Sequence, residues 1–268
     1  MTEVLIVDRE PPIAWLKLNR PEVLNSLNRE LLWRLLAATR ELEQDKKTRV
    51  VVIVGAGTRA FCAGADLSER KGMSQAEVLD YINLIQGTML AIESLPQPVI
   101  AAMNGSSFGG GTELALACDL RMIVEEASMR LTEVKLGIIP GAGGTQRLPR
   151  LIGKSRAKEL ILTARAVQAM EAQEIGLVHR VVPARTAGSG EFHEQLMAEA
   201  RTWAREIASG APLALRAAKQ AIDKGFDRDL EAGLALETKA YLGLINTKDR
   251  LEGLAAFAEK REPVYLGE

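Results

Sequence analysis

Apolar residues fall into two regimes that meet near residue 145. In the first, short apolar runs alternate with amphipathic stretches. Residues 3–9 and 12–18 read as two strands joined across Arg9-Glu10-Pro11, a hairpin. Asn28 offers an N-cap to a helix over about 29–44, where Leu31, Leu32, Leu35, Leu36 and Leu42 keep helical spacing. Val50 to Val54 is a continuous apolar run, the mark of a strand covered on both faces. The pattern then predicts a helix over 74–94, a buried strand from Pro98 to Met103, a short helix over 110–117 and a strand from Asp119 to Val124. Strands alternating with helices argue an α/β layout with mostly parallel pairing.

In the second regime, alanine, leucine and charged residues dominate. Helices are expected at about 155–162, 168–175, 191–208, 212–223, 228–246 and 248–258, with a strand only around Val178 to Val182. We therefore expect an α/β core carrying the site over residues 1–200, and a helical region over 201–268. Gly188-Ser189-Gly190 is the one linker-like stretch, and no internal repeat or low-complexity tract is visible.

Composition narrows the function classes. At 268 residues and 47% hydrophobic, the chain can fill one large core. The net charge of -1 supplies no field toward nucleic acid or a membrane. Two cysteines, Cys62 and Cys118, are too few for a disulfide framework or zinc cluster and suit a reducing compartment. Ligand spacing of His, Cys and Asp is missing, so no metal or redox cofactor is expected. No apolar run approaches the ~20 residues of a membrane helix, and the N-terminus lacks the Arg- and Ser-rich character of a transit segment. The expectation is a cytoplasmic protein, although a mature organelle matrix protein with its leader removed reads the same.

The candidate chemistry lies in glycine-rich loops and two acids. Phe61-Cys62-Ala63-Gly64-Ala65-Asp66 and Gly109-Gly110-Gly111-Thr112-Glu113 are both loops in which backbone N–H groups stay uncovered. Two such loops brought together can grip an oxygen that becomes negative during a reaction. Glu113 could merely complement a helix dipole and Glu133 could be a solvated loop acid. Both, however, are embedded in apolar sequence, where an acid is costly unless it has a task.

Three other motifs compete. Gly55-Ala56-Gly57-Thr58-Arg59-Ala60 fits a dinucleotide fingerprint, but Gly64 would interrupt the long helix that fingerprint should open, and a tight loop is the better reading. Gly105-Ser106-Ser107-Phe108-Gly109 fits a GxSxG nucleophile elbow between a strand and a helix, which would make Ser107 the nucleophile of a serine hydrolase. The base would have to be His179, which reads as a strand-end residue, or His193, on a polar helix. Pro140-Gly141-Ala142-Gly143-Gly144-Thr145 lacks the lysine and hydroxyl of a phosphate loop and reads as a tight turn shaping the site.

Taken together, the residues resemble the crotonase family, the enoyl-CoA hydratase/isomerase superfamily. The resemblance runs from Leu18-Asn19-Arg20-Pro21 and Asn25-Ser26-Leu27-Asn28 through Phe61 to Leu67, Asn104-Gly105, Glu113 and Ala117 to Arg121. It continues over Glu133 to Leu148 and closes at Phe257 to Arg261. It implies a spiral of ββα turns with a helical C-terminal trimerisation region, assembled as a homo-trimer or dimer of trimers. It implies an oxyanion hole from the N–H groups of Ala65 and Gly110, and acid/base roles for Glu113 and Glu133. Ser107 is then not a nucleophile. The implied activity is that of a hydro-lyase, adding water reversibly to a 2-enoyl-CoA in fatty-acid or branched-chain acyl-CoA degradation, with coenzyme A part of the substrate rather than a cofactor. Retaining both acids favours hydration over isomerisation. The resemblance points to Ser26, Leu27, Ala63, Asp66, Leu67, Ser68, Phe257 and Lys260 as contacts to CoA or substrate. The chain departs from the family at Ser68, where many hydratases carry a basic residue; Arg70 and Lys71 stand nearby. Thr247 to Gly253 and the tail from Lys260 also resemble the methylglutaconyl-CoA hydratase branch, some members of which bind AU-rich RNA. RNA binding is disfavoured here, since residues 72–100 contain no lysine or arginine.

Overall fold

A computed structural model describes residues 3–183 and 191–268. The expected linker at Gly188-Ser189-Gly190 lies outside the described residues. The main sheet begins with the hairpin of β1 (Leu5–Glu10) and β2 (Ile13–Leu18), antiparallel with Leu5 opposite Leu18. Parallel to β2 run β3 (Val50–Gly55), β5 (Val99–Met103), β7 (Leu120–Val124) and β10 (Arg180–Val182), in the order β1-β2-β3-β5-β7-β10. Every residue of β3 and β5 is buried, as their unbroken apolar runs require.

A second sheet was not foreseen. It consists of β4 (Ala60–Cys62), β6 (Ser106–Phe108), β8 (Ser128–Arg130) and β9 (Val167–Gln168), in that order. These strands are two or three residues long, too short to show an apolar period. The chain passes from main to second sheet three times, β3 to β4, β5 to β6 and β7 to β8. The first two passes are each followed by helix, so the core is a spiral of ββα turns. The corners are tight. A Cβ on Gly55 would lie 2.6 Å from the carbonyl oxygen of Phe61, and one on Gly105 2.7 Å from the Ala60 nitrogen. Asn104 ties the corner, accepting from Gly55 N–H (2.8 Å) and donating to Gly57 O (2.7 Å). The glycines of the apparent dinucleotide fingerprint thus serve a sheet-to-sheet corner.

Helices form where the spacing predicts them. Asn28 caps α1 (Arg29–Gln44) by accepting from Leu31 N–H, and Leu31, Leu32, Leu35, Ala38 and Leu42 are buried. The short α2 (Leu67–Arg70) is capped by Asp66. Ser74 and Glu77 close a capping box at the start of α3 (Gln75–Glu93), which packs on α1. The three glycines of the second loop lead into α4 (Gly110–Ala117), buried throughout. A Cβ on Gly111 would collide with the Cys62 carbonyl, so α4 sits directly on β4.

Gly143, at φ 107°, opens α5 (Gly144–Ile152), whose first two residues belong to the turn the sequence predicts. Then follow α6 (Lys154–Thr163), α7 (Ala169–Glu174) and α8 (Glu191–Ala208). The helix α8 packs on β2, β3, β5 and β7, so the layer covering the main sheet runs past the expected division at residue 200. The chain ends in α9 (Pro212–Gly225), α10 (Leu230–Leu242) and α11 (Lys248–Glu259). Here α9 and α10 pack on each other, and α10 and α11 leave Leu230, Leu234, Tyr241, Leu242, Leu251 and Leu254 exposed. No described helix is long and apolar enough to cross a membrane.

Candidate active site

The loop after β4 pairs with the segment before α1 through one parallel bridge, Leu27 to Ala65. Leu27 makes both hydrogen bonds of that bridge, donating to Gly64 O (2.7 Å) and accepting from Asp66 N–H (3.0 Å). Its neighbours' groups are used, so the N–H of Ala65 itself points away from the bridge. Tyr81 fixes the register, its hydroxyl donating to the Leu27 carbonyl at 2.6 Å.

The second loop comes up beside the first. Gly109 has φ 49° and ψ -120°, a conformation that favours glycine, and donates to Arg130 O (2.8 Å). That sharp turn starts α4 with the N–H of Gly110 unpaired, as first-turn donors are. A Cβ placed on Gly110 would lie 3.5 Å from the Ala65 nitrogen. The Ala65 and Gly110 nitrogens therefore lie close together at the positive end of a helix.

The two glutamates face the same cavity of about 710 Å³, whose walls include Ala65, Gly110, Glu113 and Glu133. Apolar side chains from α3, Val78, Ile82 and Ile85, close one side, and Ile138, Ile139 and Pro140 another. Glu113, one turn into α4 and 2% exposed, accepts on Oε1 from the N–H groups of Ala142 (2.8 Å) and Gly144 (2.7 Å). Burial pushes its carboxyl up to about 7; the Gly144 and Ala142 donors pull it back, and the Glu133 charge adds to the rise. Glu133 opens a single 3-10 turn after β8 and is 8% exposed. Burial raises it as well, and its Oε2 is buried with no hydrogen-bond partner. A buried oxygen without a donor favours the protonated carboxyl. Burial thus raises both carboxyls, but Glu113 is held by two backbone donors while Glu133 keeps one buried oxygen without a donor.

The competing nucleophile is placed differently. Ser107 is fully buried in β6, its Oγ 2.9 Å from Thr112 Oγ1. His179 accepts on Nδ1 from the Arg121 N–H (3.2 Å) and lies against Trp203, so it is occupied at the far edge of the main sheet. The His193 side chain lies outside the described residues.

The family model described as enoyl-CoA hydratase/isomerase matches residues 8–268. The chain belongs to the enoyl-CoA hydratase/isomerase family. It is 47% identical to the mitochondrial methylglutaconyl-CoA hydratase of Homo sapiens, over 96% of this chain and 74% of that one. It is 46% identical to the mitochondrial enoyl-CoA hydratase domain-containing protein 2 of Bos taurus, over 96% and 85%. The crystal structure of an enoyl-CoA hydratase from Bacillus anthracis superposes with a TM-score of 0.94 at 52% identity, covering 99% of this chain and all of that one. The crotonase resemblance and the α/β spiral expected from it are therefore borne out.

The residues expected to contact CoA are scattered. Ala63, half-buried, and Leu67 and Ser68, exposed, lie along the first loop and α2 beside Ala65. Ser26 and Leu27 are buried, and Ser26 accepts from Arg20 through both its carbonyl (2.6 Å) and its Oγ (3.2 Å). Asp66 is committed to structure: it pairs with Arg20 (2.9 Å) and caps α2 through Ser68 and Glu69 N–H groups. The Ser68 hydroxyl is bound to Asp66 Oδ1 at 2.5 Å. Arg70, not Lys71, borders the cavity, its guanidinium 5.7 Å from the Tyr81 ring. Phe257, 87% exposed, and Lys260, exposed just beyond α11, do not border the cavity within this chain.

Sequence reasoning missed Tyr81 and the two donors to Glu113. The Pro140 to Thr145 run was recognised as shaping the site, but which N–H groups turn inward depends on backbone dihedrals that the letters alone do not carry.

Proposed function

We propose that this chain is an enoyl-CoA hydratase, adding water across the double bond of a 2-enoyl-CoA thioester to give a 3-hydroxyacyl-CoA. The observation that carries it is the joint placement of two backbone N–H groups, Ala65 and Gly110, with two buried carboxyls, one held by backbone donors and one with an oxygen left without a donor, around one apolar cavity. The thioester oxygen sits between the two donors. Glu113, ionised and held by Ala142 and Gly144, takes a proton from water as its oxygen attacks Cβ. Charge moves to the thioester oxygen, where the two N–H groups stabilise it; each such donor contributes on the order of 10²–10³ in rate. Glu133 delivers its proton to Cα. Net, one water is added, and the proton passes back from Glu113 to Glu133 before the next turnover.

The test is the absorbance of the conjugated enone-thioester of crotonyl-CoA, for wild type, Glu133→Gln and Ser107→Ala. Turnover that survives Ser107→Ala and collapses in Glu133→Gln supports hydration; thiol release dependent on Ser107 refutes it.

A more specific substrate is favoured by one feature. Arg70 is the cation on the cavity wall and would pair with a free carboxylate at the end of the acyl group, as in 3-methylglutaconyl-CoA. We further propose a trimer or a dimer of trimers, supported by the apolar side chains that α9 to α11 leave uncovered. Contacts from Phe257 and Lys260 to CoA belong to that assembled state. The cytoplasm, or another reducing compartment, suits the two free buried thiols.

A further inference from the structure

The turn that holds Glu113 is itself held from its other side. Arg147, on α5, donates from Nη1 to the carbonyl of Ala142 at 2.9 Å. Its remaining nitrogens fork onto Glu93 at the end of α3, Nε to Oε1 at 3.0 Å and Nη2 to Oε2 at 2.7 Å. Its backbone N–H donates to Gly143 O at 2.8 Å. Ala142 therefore donates to Glu113 through its N–H and accepts from Arg147 through its carbonyl. A Cβ on Gly143 would collide with Arg147 Nη1, so the guanidinium lies flat against the turn without clearance.

Such a turn needs a clamp. Three of its residues, Gly141, Gly143 and Gly144, are glycines, whose backbone has the most freedom to lose on ordering. The clamp contributes little to global stability: the Glu93 side chain is 42% exposed, and ion pairs so placed are screened by water. What the fork does supply is geometry, since two parallel N–H···O contacts fix the guanidinium plane.

We propose that Arg147, anchored by Glu93, is a positioning residue for the reaction, fixing the turn so that its two N–H groups hold Glu113 oriented as the base. This rests on the hydratase reading above. The charged groups acting on Glu113 are Glu133 from the turn after β8 and Arg147 from α5, with Glu93 from α3 behind it. Of these, Arg147 alone is a cation, and its charge pulls the Glu113 carboxyl down against burial. Losing Arg147 removes both the orientation and that charge.

The experiment compares wild type, Arg147→Met, Arg147→Lys and Glu93→Gln as full-length enzymes. In Arg147→Met, kcat is expected to fall on the order of 10–100-fold, as displacement of a catalytic group by a fraction of an ångström to one ångström does. KM should change by less than about 3-fold, because no substrate contact is lost. The acid limb of the kcat/KM profile should move to higher pH. Arg147→Lys restores the charge without the fork, so the limb returns toward wild type while kcat stays reduced. If Arg147→Met does not fold, Glu93→Gln, altered at a half-exposed position and keeping the Arg147 charge, should show the fall in kcat in smaller measure, with a Glu113 titration displaced by the loosened turn. A purely structural role predicts that kcat tracks the folded fraction and the acid limb stays put; that result, or a wild-type profile for Glu93→Gln, overturns the proposal. Carbon-13 titration of the Glu113 carboxyl in wild type and Glu93→Gln needs no substrate. If neither crotonyl-CoA nor 3-methylglutaconyl-CoA is hydrated by wild type, the hydratase reading falls, while an unmoved Glu113 titration would sink the positioning role independently.

Discussion

Replacing Glu113 by glutamine should make the protein more stable and inactive, and the stability gain should depend on pH. Burial, with the Glu133 charge adding to it, lifts the folded carboxyl from 4.5 to about 7 against the pull of the Gly144 and Ala142 N–H groups and Arg147. A carboxyl that titrates higher folded than unfolded favours the folded state when protonated. That contribution is fully present below about 4.5 and is lost as pH rises through about 7. The lift is worth about 3 kcal/mol at ~1.36 kcal/mol per pH unit. Glutamine cannot ionise, and its Oε1 can still accept from both backbone donors, so Glu113→Gln escapes the loss. Between about pH 5 and about pH 8.5 the stability of the variant relative to wild type should rise by about 2.5 kcal/mol. For a chain of this size that is a Tm difference of roughly 5–10 °C. Paired thermal and urea unfolding at the two pH values measures it, with crotonyl-CoA hydration recorded alongside. A gap between variant and wild type that is the same at both pH values would refute the burial of an ionisable base at this position.

Other outcomes follow from the same geometry. Glu133→Gln should lower kcat by on the order of 10²-fold or more with little change in KM, read by the same absorbance assay. Gly110→Ala should fold, since its nearest new neighbour is Ile85 Cδ1 at 3.3 Å, yet the added methyl would lie 3.5 Å from the Ala65 nitrogen and crowd the proposed oxygen grip; circular dichroism near wild type with kcat/KM reduced ~10²-fold is expected. Gly109→Ala combines a positive φ with a Cβ 3.0 Å from Glu133 Oε1, and should cost about 1–3 kcal/mol in denaturant unfolding as well as activity. Ser107→Ala should keep near-normal turnover and lose about 1 kcal/mol, from one buried hydrogen bond.

The main sheet was legible because its central strands are fully buried and so read as unbroken apolar runs, Val50 to Val54 being the clearest. The helices were legible from caps such as Asn28 and from heptad-like leucines. The second sheet was not, because Ala60–Cys62 and Ser106–Phe108 sit inside the glycine motifs and hold too few residues to show an alternation. The two acids stood out because each was charged within apolar sequence. Asp66, which the resemblance points to as a substrate contact, has its oxygens engaged by Arg20, Ser68 and the start of α2. The role of Arg147 is not legible in the sequence, since its partner Glu93 lies 54 positions away in the chain.

The cavity divides its labour between two kinds of atom. The oxygen grip proposed for Ala65 and Gly110 is main chain, so of all single substitutions only one to proline deletes an N–H there. The acyl wall, by contrast, is made largely from α3 side chains such as Val78 and Ile82, which are only partly buried and stand apart from the Tyr81, Ile85 and Met89 stripe that holds the helix to the core. Mutation can therefore reshape what the pocket accepts while leaving the reaction and the fold intact. A lineage built on this frame would diversify its substrates far more readily than it would lose its chemistry.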